Sequence, residues 1–176
     1  MRTITRSYDT YDAARRVVDD LEAAGFPATD ISLIGRHAST DDSNAGEGAG
    51  IGATLGGAAG LLAGLGLLAI PGIGPVVAAG WLASTAAGAA AGGVTGGVIG
   101  AFTSAGEDEP SANYYAETVR RGGSVVSVKA DEDKAPAAEA IMDGAAPIDR
   151  DARLADYRKE GWSRFDDRGE PYRPLI

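Results

Sequence analysis

The sequence predicts an α+β protein, in which two β-α-β halves of a ferredoxin-like sheet are interrupted by a long Gly/Ala-rich antiparallel helical hairpin. Three observations carry this. Strand-like and helix-like periods alternate near both ends of the 176-residue chain; no Asp, Glu, Lys, Arg or His occurs from Gly48 to Gly106; and glycines recur at every fourth position inside that stretch. The halves occupy residues 1–37 and 107–150, with a linker at 38–47, the insert at 48–106 and an aromatic, charged tail at 151–176.

In the first half, Thr3 to Ser7 is β-rich, and Tyr11, Ala14, Val17, Val18 and Leu21 recur at helical spacing. Asp9 or Thr10 can cap the helix start. Gly25 suits the left-handed position after its last turn, and Pro27 prevents continuation. Ile31, Leu33 and Ile34 form a second strand, expected to be central.

The insert carries Gly48, Gly52, Gly56, Gly60 and Gly64, then Gly80, Gly88, Gly92, Gly96 and Gly100 with Ser84 in the gap. Residues four apart on a helix lie nearly above one another, so each arm presents an edge without side chains that another backbone can approach. Pro71, Gly72, Gly74 and Pro75 end one arm and start the next. A flexible linker would be polar, whereas this stretch carries Leu61, Leu62, Leu65, Leu67, Leu68 and Ile70. Burial must therefore offset the helix cost of glycine, roughly 1 kcal/mol per position against alanine. Gly48 to Ile70 offers 23 uncharged residues, enough for a span of about 20. The second arm is weaker, because Ala83 to Gly93 has no large apolar side chain. A bilayer and the interior of an oligomer are the two burial environments.

The second half begins with a helix from Ser111 to Arg121, stopped by Gly122 and Gly123. Val125, Val126 and Val128 mark a strand over Ser124 to Ala130. Pro136 suits the first turn of a helix through Met142, and Ala146 to Asp149 completes the set as a short last strand. Right-handed crossovers join the halves most economically as a four-stranded sheet with helices on one face. The tail has no clear period. Its Trp162, Phe165 and Tyr172, interleaved with Arg164, Arg168 and Arg173, are docking candidates, either as a strap over the same chain or as contacts to a neighbour.

Composition removes several function classes. A net charge of −9 disfavours a phosphate-tracking surface, so no nucleic-acid partner is expected. Absence of cysteine excludes disulfides and thiol nucleophiles. The N-terminal stretch has charges where a secretory signal needs an apolar core. His37 is the sole histidine, so no triad or His-based metal cluster is expected. Asp131, Glu132 and Asp133 precede a helix start, where carboxylates cap amides in preference to ligating a cation. No glycine run completes a phosphate-binding loop. Tyr114 and Tyr115 could form an aromatic platform, though packing is the commoner use of such a pair. No catalytic residue, metal ligand, cofactor or small-molecule substrate is identified.

The strand-helix-strand start, the phrase Ala69-Ile-Pro-Gly-Ile-Gly-Pro75 within the glycine repeat, and Tyr114-Tyr115 running to Arg121-Gly-Gly123 before a valine strand together resemble the heat-induced general stress protein family of bacteria. The resemblance covers most of Met1 to Ala130. It implies stress-associated expression and membrane association, with no activity or cofactor to transfer. The expected function is a non-enzymatic structural protein that self-assembles through the zipper glycines, on the cytoplasmic side of the inner membrane with lipid as a partner. The alternatives are a cytoplasmic homo-oligomeric scaffold or shell with the hairpins in its core, and a small-ligand sensor module.

Overall fold

The computed structural model describes residues 1–36, 66–70, 72–85, 97–169 and 172. Strand β1 (Arg2–Tyr8) leads into helix α1 (Tyr11–Ala23) and, through a single 3-10 turn at Ala28–Asp30, into β2 (Ile31–Gly35). Strands β3 (Gly66–Ile70) and β4 (Gly74–Gly80) follow, then a helical segment at 81–85, α2 (Gly97–Ser104) and α3 (Glu109–Arg120). Strand β5 (Ser124–Ala130), α4 (Ala135–Gly144) and α5 (Arg150–Lys159) complete the order. The architecture is α+β.

The strands form one sheet in the order β1-β5-β2-β4-β3, antiparallel throughout. β5 lies between β1 and β2, so α1 makes a crossover between parallel strands with an antiparallel strand inserted, the split β-α-β arrangement. β2 is central, with β5 and β4 as neighbours. Thr10 caps α1 by accepting from the Ala13 amide at 3.2 Å. Gly25 closes the helix at φ 88°, a left-handed angle that costs glycine nothing.

Both faces of the sheet are covered. Ile4, Tyr8, Ile31, Leu33, Val126 and Val128 face α1 and α4, meeting Val17, Val18, Leu21, Ala138 and Met142. On the other face Ile34, Val76 and Val125 meet Phe102, Tyr114, Tyr115 and Val119. This differs from the one-sided sheet expected. The side-chain alternation of β5 explains it: valines at 125, 126 and 128 supply apolar groups to both faces, as buried strands do.

Two further expectations are corrected. The helical hairpin does not run through Ile70 to Pro75. Residues 66–70 and 74–80 instead form a β-hairpin whose register pairs Gly66 with Ala78 and Ile70 with Gly74. Gly72 and Gly74, at φ 76° and 93°, make the turn, so this region does reverse the chain but joins strands. A short charge-free apolar run between turn residues is equally compatible with a buried strand and a helix, and Val76 and Val77 tip it towards strand. The arm from Gly48 to Ile70 is therefore not one continuous helix, and among the described residues no helix is long and apolar enough to cross a membrane. The last strand, expected at Ala146 to Asp149, does not form either. Ala146 is held at φ 51° and Pro147 has no N–H to donate, so the chain makes a single ladder bond, Ile148 N–H to Ser7 O at 2.8 Å, before α5 begins.

Candidate functional site

The missing last strand leaves a cleft beside β1, which is an edge of the sheet. The cleft has a volume of about 350 Å³ and is bounded by Thr5 to Ser7, Tyr114 and Tyr115, and the 147–150 segment. Tyr114 projects from α3 to share a hydrogen bond with Ser7 Oγ at 2.8 Å, and Tyr115 donates its hydroxyl to Thr5 O at 3.3 Å. The two rings lie 5.2 Å apart and are tilted by 58°. Both are buried, and burial pushes both phenols above their ordinary pKa. The tyrosine pair is thus packing and cleft wall at once.

Two guanidinium groups reach this cleft. Arg6 donates to both oxygens of Asp143, at 2.7 and 3.4 Å, and this bond raises its pKa further. Arg150, the first residue of α5, stands 5.9 Å from the Tyr114 ring centre, and its Nε is buried without a hydrogen-bond partner among the described residues. Asp149 also lines the cleft, but its carboxylate caps α5 by accepting from the Ala152 amide at 3.0 Å.

A second polar cluster sits at the far end of α3. Glu117 is 1 % exposed and accepts from Arg120 Nε and Nη2 at 2.7 and 2.6 Å and from Arg121 Nε at 2.6 Å. Arg121 also pairs with Glu160 and lies 4.2 Å from the Tyr157 ring centre and 5.0 Å from that of Tyr172. Burial opposes its charge, yet the two carboxylates outweigh burial and its pKa rises. This cluster ties α5 and the tail to α3. The Gly122-Gly123 pair that follows is explained by geometry: Gly122 stands at φ 100°, and a Cβ on Gly123 would lie 3.1 Å from both Thr118 O and Tyr8 O.

The residues singled out in the sequence are dispersed. Gly80 ends β4 at φ 83°, and Gly100 lies in α2. Gly48, Gly52, Gly56, Gly60, Gly64, Gly88, Gly92 and Gly96 lie outside the described residues, as do His37 and Pro71. Gly72, Gly74 and Pro75 form the β-hairpin turn and the start of β4. The tail aromatics all lie against their own chain: Phe165 is buried, Trp162 packs 5.8 Å from the Tyr157 ring, and Tyr172 meets Arg120 and Arg121. Asp131, Glu132 and Asp133 are exposed, and α4 starts with no side-chain cap; the Asp131 carbonyl accepts from Lys134 and Ala135 instead. Sequence reasoning missed Arg6, Glu117 and Arg150. For Arg150 a signal existed, since Asp149 is a good N-cap and Leu154 and Tyr157 are three apart.

Fold and cleft together define an α+β protein with a doubly covered antiparallel sheet and a small polar cleft at its edge. Residues 3–68 match the family model described as the heat induced stress protein YflT domain. The match agrees with the resemblance to the general stress proteins over the strand-helix-strand start, whereas the 69–75 phrase and the 114–123 motif lie beyond it, and it suggests a stress-associated protein. It takes in β1, α1, β2 and the start of β3, so of the cleft residues only Thr5, Arg6 and Ser7 fall within it. No curated protein and no solved structure matches the chain.

Proposed function

We propose that this is a non-enzymatic structural protein of the stress response that self-associates through the glycine-bearing helices of its Gly/Ala-rich segment. One observation carries the reading. Val98, Ala101 and Phe102 turn α2 towards the core, while Gly100 points away from it, and a Cβ placed there would meet no described atom within 4 Å. An apolar helix with its glycine edge outward offers a second backbone a close approach. The partner is a second copy of the chain. A net charge of −9 speaks against nucleic acid.

Of the two burial environments, the oligomer is favoured over the membrane, because residues 66–70 belong to the sheet and shorten the first apolar arm. The corresponding location is the cytoplasm. Gly100→Leu tests the reading. On an unpartnered helix the change adds up to about 1 kcal/mol of helix propensity, whereas in a close backbone contact it forces the helices apart. The expected result is a lower native mass with the monomer still folded. An unchanged mass with a raised melting temperature sinks the proposal.

A further inference from the structure

The cleft beside β1 exists because the chain leaves the sheet edge after one bond. Ile148 donates to Ser7 O, and main-chain groups of one residue in an antiparallel ladder point to the same side. The N–H groups of Ser7 and, two residues earlier, Thr5 therefore face the same edge. Ala146, a non-glycine residue at φ 51°, holds the turn that keeps the 147–150 segment from zipping closed over them.

The charges around this space are unevenly satisfied. Arg6 is held by Asp143 at 2.7 Å, Arg153 pairs with Asp9 at 2.7 Å, and Arg121 pairs with Glu117 and Glu160. Arg150 borders the cleft and makes no ion pair or hydrogen bond with the described residues; Asp108 and the Tyr114 ring lie within electrostatic reach of its charge, but its buried Nε has no acceptor. Buried donors of this kind are nearly always paired. Pro147, Ile148 and Tyr115 also line the cleft and are its apolar residues.

We propose that the cleft binds a small organic monocarboxylate, its carboxylate on the Arg150 guanidinium and the β1 edge amides, and its apolar body against Ile148 and Tyr115. A guanidinium presents two parallel donors that match one carboxylate. A single negative charge fits better than a phosphate, since Asp149 lines the same space and Asp143 stands behind Arg6. The volume of about 350 Å³ lies at the small end of the range for ligand sites. This site is independent of self-association through α2.

The test is thermal unfolding and calorimetric titration of the full-length protein with benzoate, beside uncharged benzamide and inorganic phosphate. Benzoate is expected to raise the melting temperature saturably, because it binds only the native state. Benzamide and phosphate should do so weakly or not at all. Arg150→Gln should weaken benzoate binding at least about tenfold, the loss of one charge-assisted contact, and Arg150→Lys should retain part of it. Circular dichroism of each variant establishes that it is folded. Absence of a saturable shift overturns the proposal, as does an equal shift in wild type and Arg150→Gln, or one that phosphate reproduces.

Discussion

Gly72, in the turn of the β3–β4 hairpin, lies directly under the Asp166 carbonyl of the tail: a Cβ added to it would stand 2.5 Å from that oxygen and 2.9 Å from Asp167 Cα. The two segments are almost a hundred residues apart, and the contact is backbone to backbone. Phe165 anchors it, buried among the core residues and donating its own N–H to Asn113 Oδ1 at 3.0 Å. The tail is therefore a strap that crosses α3 and locks the hairpin turn.

Gly72→Ala should break this lock. The residue sits at φ 76°, where a side chain is strained, and its neighbour across the contact is main chain that cannot rotate away. A loss of about 1–3 kcal/mol is expected, measured by urea unfolding, together with faster tryptic cleavage after Arg164 and Arg168. Gly66→Ala is the control, since nothing described lies within 4 Å of its added Cβ and its φ is not positive. Equal stability of the two variants would show that the strap does not bear on the turn.

The buried carboxylate of Glu117 gives the next prediction. It is held between Arg120 and Arg121, themselves only 20 % and 14 % exposed, and Arg121 passes the connection to Glu160 and the Tyr157 ring. Glu117→Ala removes the buried carboxylate that lies between two poorly solvated guanidinium groups, leaving Arg121 with the more exposed Glu160. Removing one partner of a buried pair costs more than the pair contributes, here about 2–4 kcal/mol. Glu117→Gln keeps the shape and should lose less. Chemical unfolding of both variants decides it; a Glu117→Ala loss under half a kcal/mol, roughly the effect of a surface change, would mean that the cluster is ornamental to stability.

The elements that were legible in the sequence are those with an unambiguous period. Tyr11, Ala14, Val17, Val18 and Leu21 describe α1 because they all face the sheet, and the valines of β5 describe a strand buried on both sides. The β3–β4 hairpin was not legible as such: five apolar residues followed by Pro-Gly-Ile-Gly-Pro fit the end of a buried helix as well as a strand, and the glycine repeat around them argued for helix. α5 was hidden by its polarity, since of its ten residues Tyr157 alone is buried. The cleft could not be read at all. It depends on Ala146 adopting a left-handed angle and on Ser7 meeting Tyr114, residues 107 positions apart. Such a contact has no trace in local spacing.

The buried tyrosines set the alkaline limit of the fold. Burial holds the phenols of Tyr8 and Tyr115 far above their ordinary pKa of 10.0, and those of Tyr11 and Tyr114 are raised for the same reason. Tyr8 also donates its hydroxyl to Met142 O at 2.9 Å, a bond that only the protonated form can make. In the unfolded chain these groups lose their protons near pH 10, while in the folded chain they keep them to higher pH. Above that pH the unfolded state therefore binds fewer protons, and stability falls as pH rises. Below about pH 9 the tyrosine contribution is fully present and flat. Urea midpoints taken from pH 8 to 11 should hold steady and then decline beyond roughly pH 10, with phenolate absorbance appearing together with unfolding rather than before it. Tyr115→Phe should shallow the decline, because it removes one of the protons that the unfolded state gives up. Its hydroxyl bond to Thr5 O is long at 3.3 Å, so the variant should lose little stability at neutral pH. Phenolate absorbance from Tyr8 or Tyr115 in a chain that is still folded would contradict their burial, and with it the packing of β1 against α3 and α4.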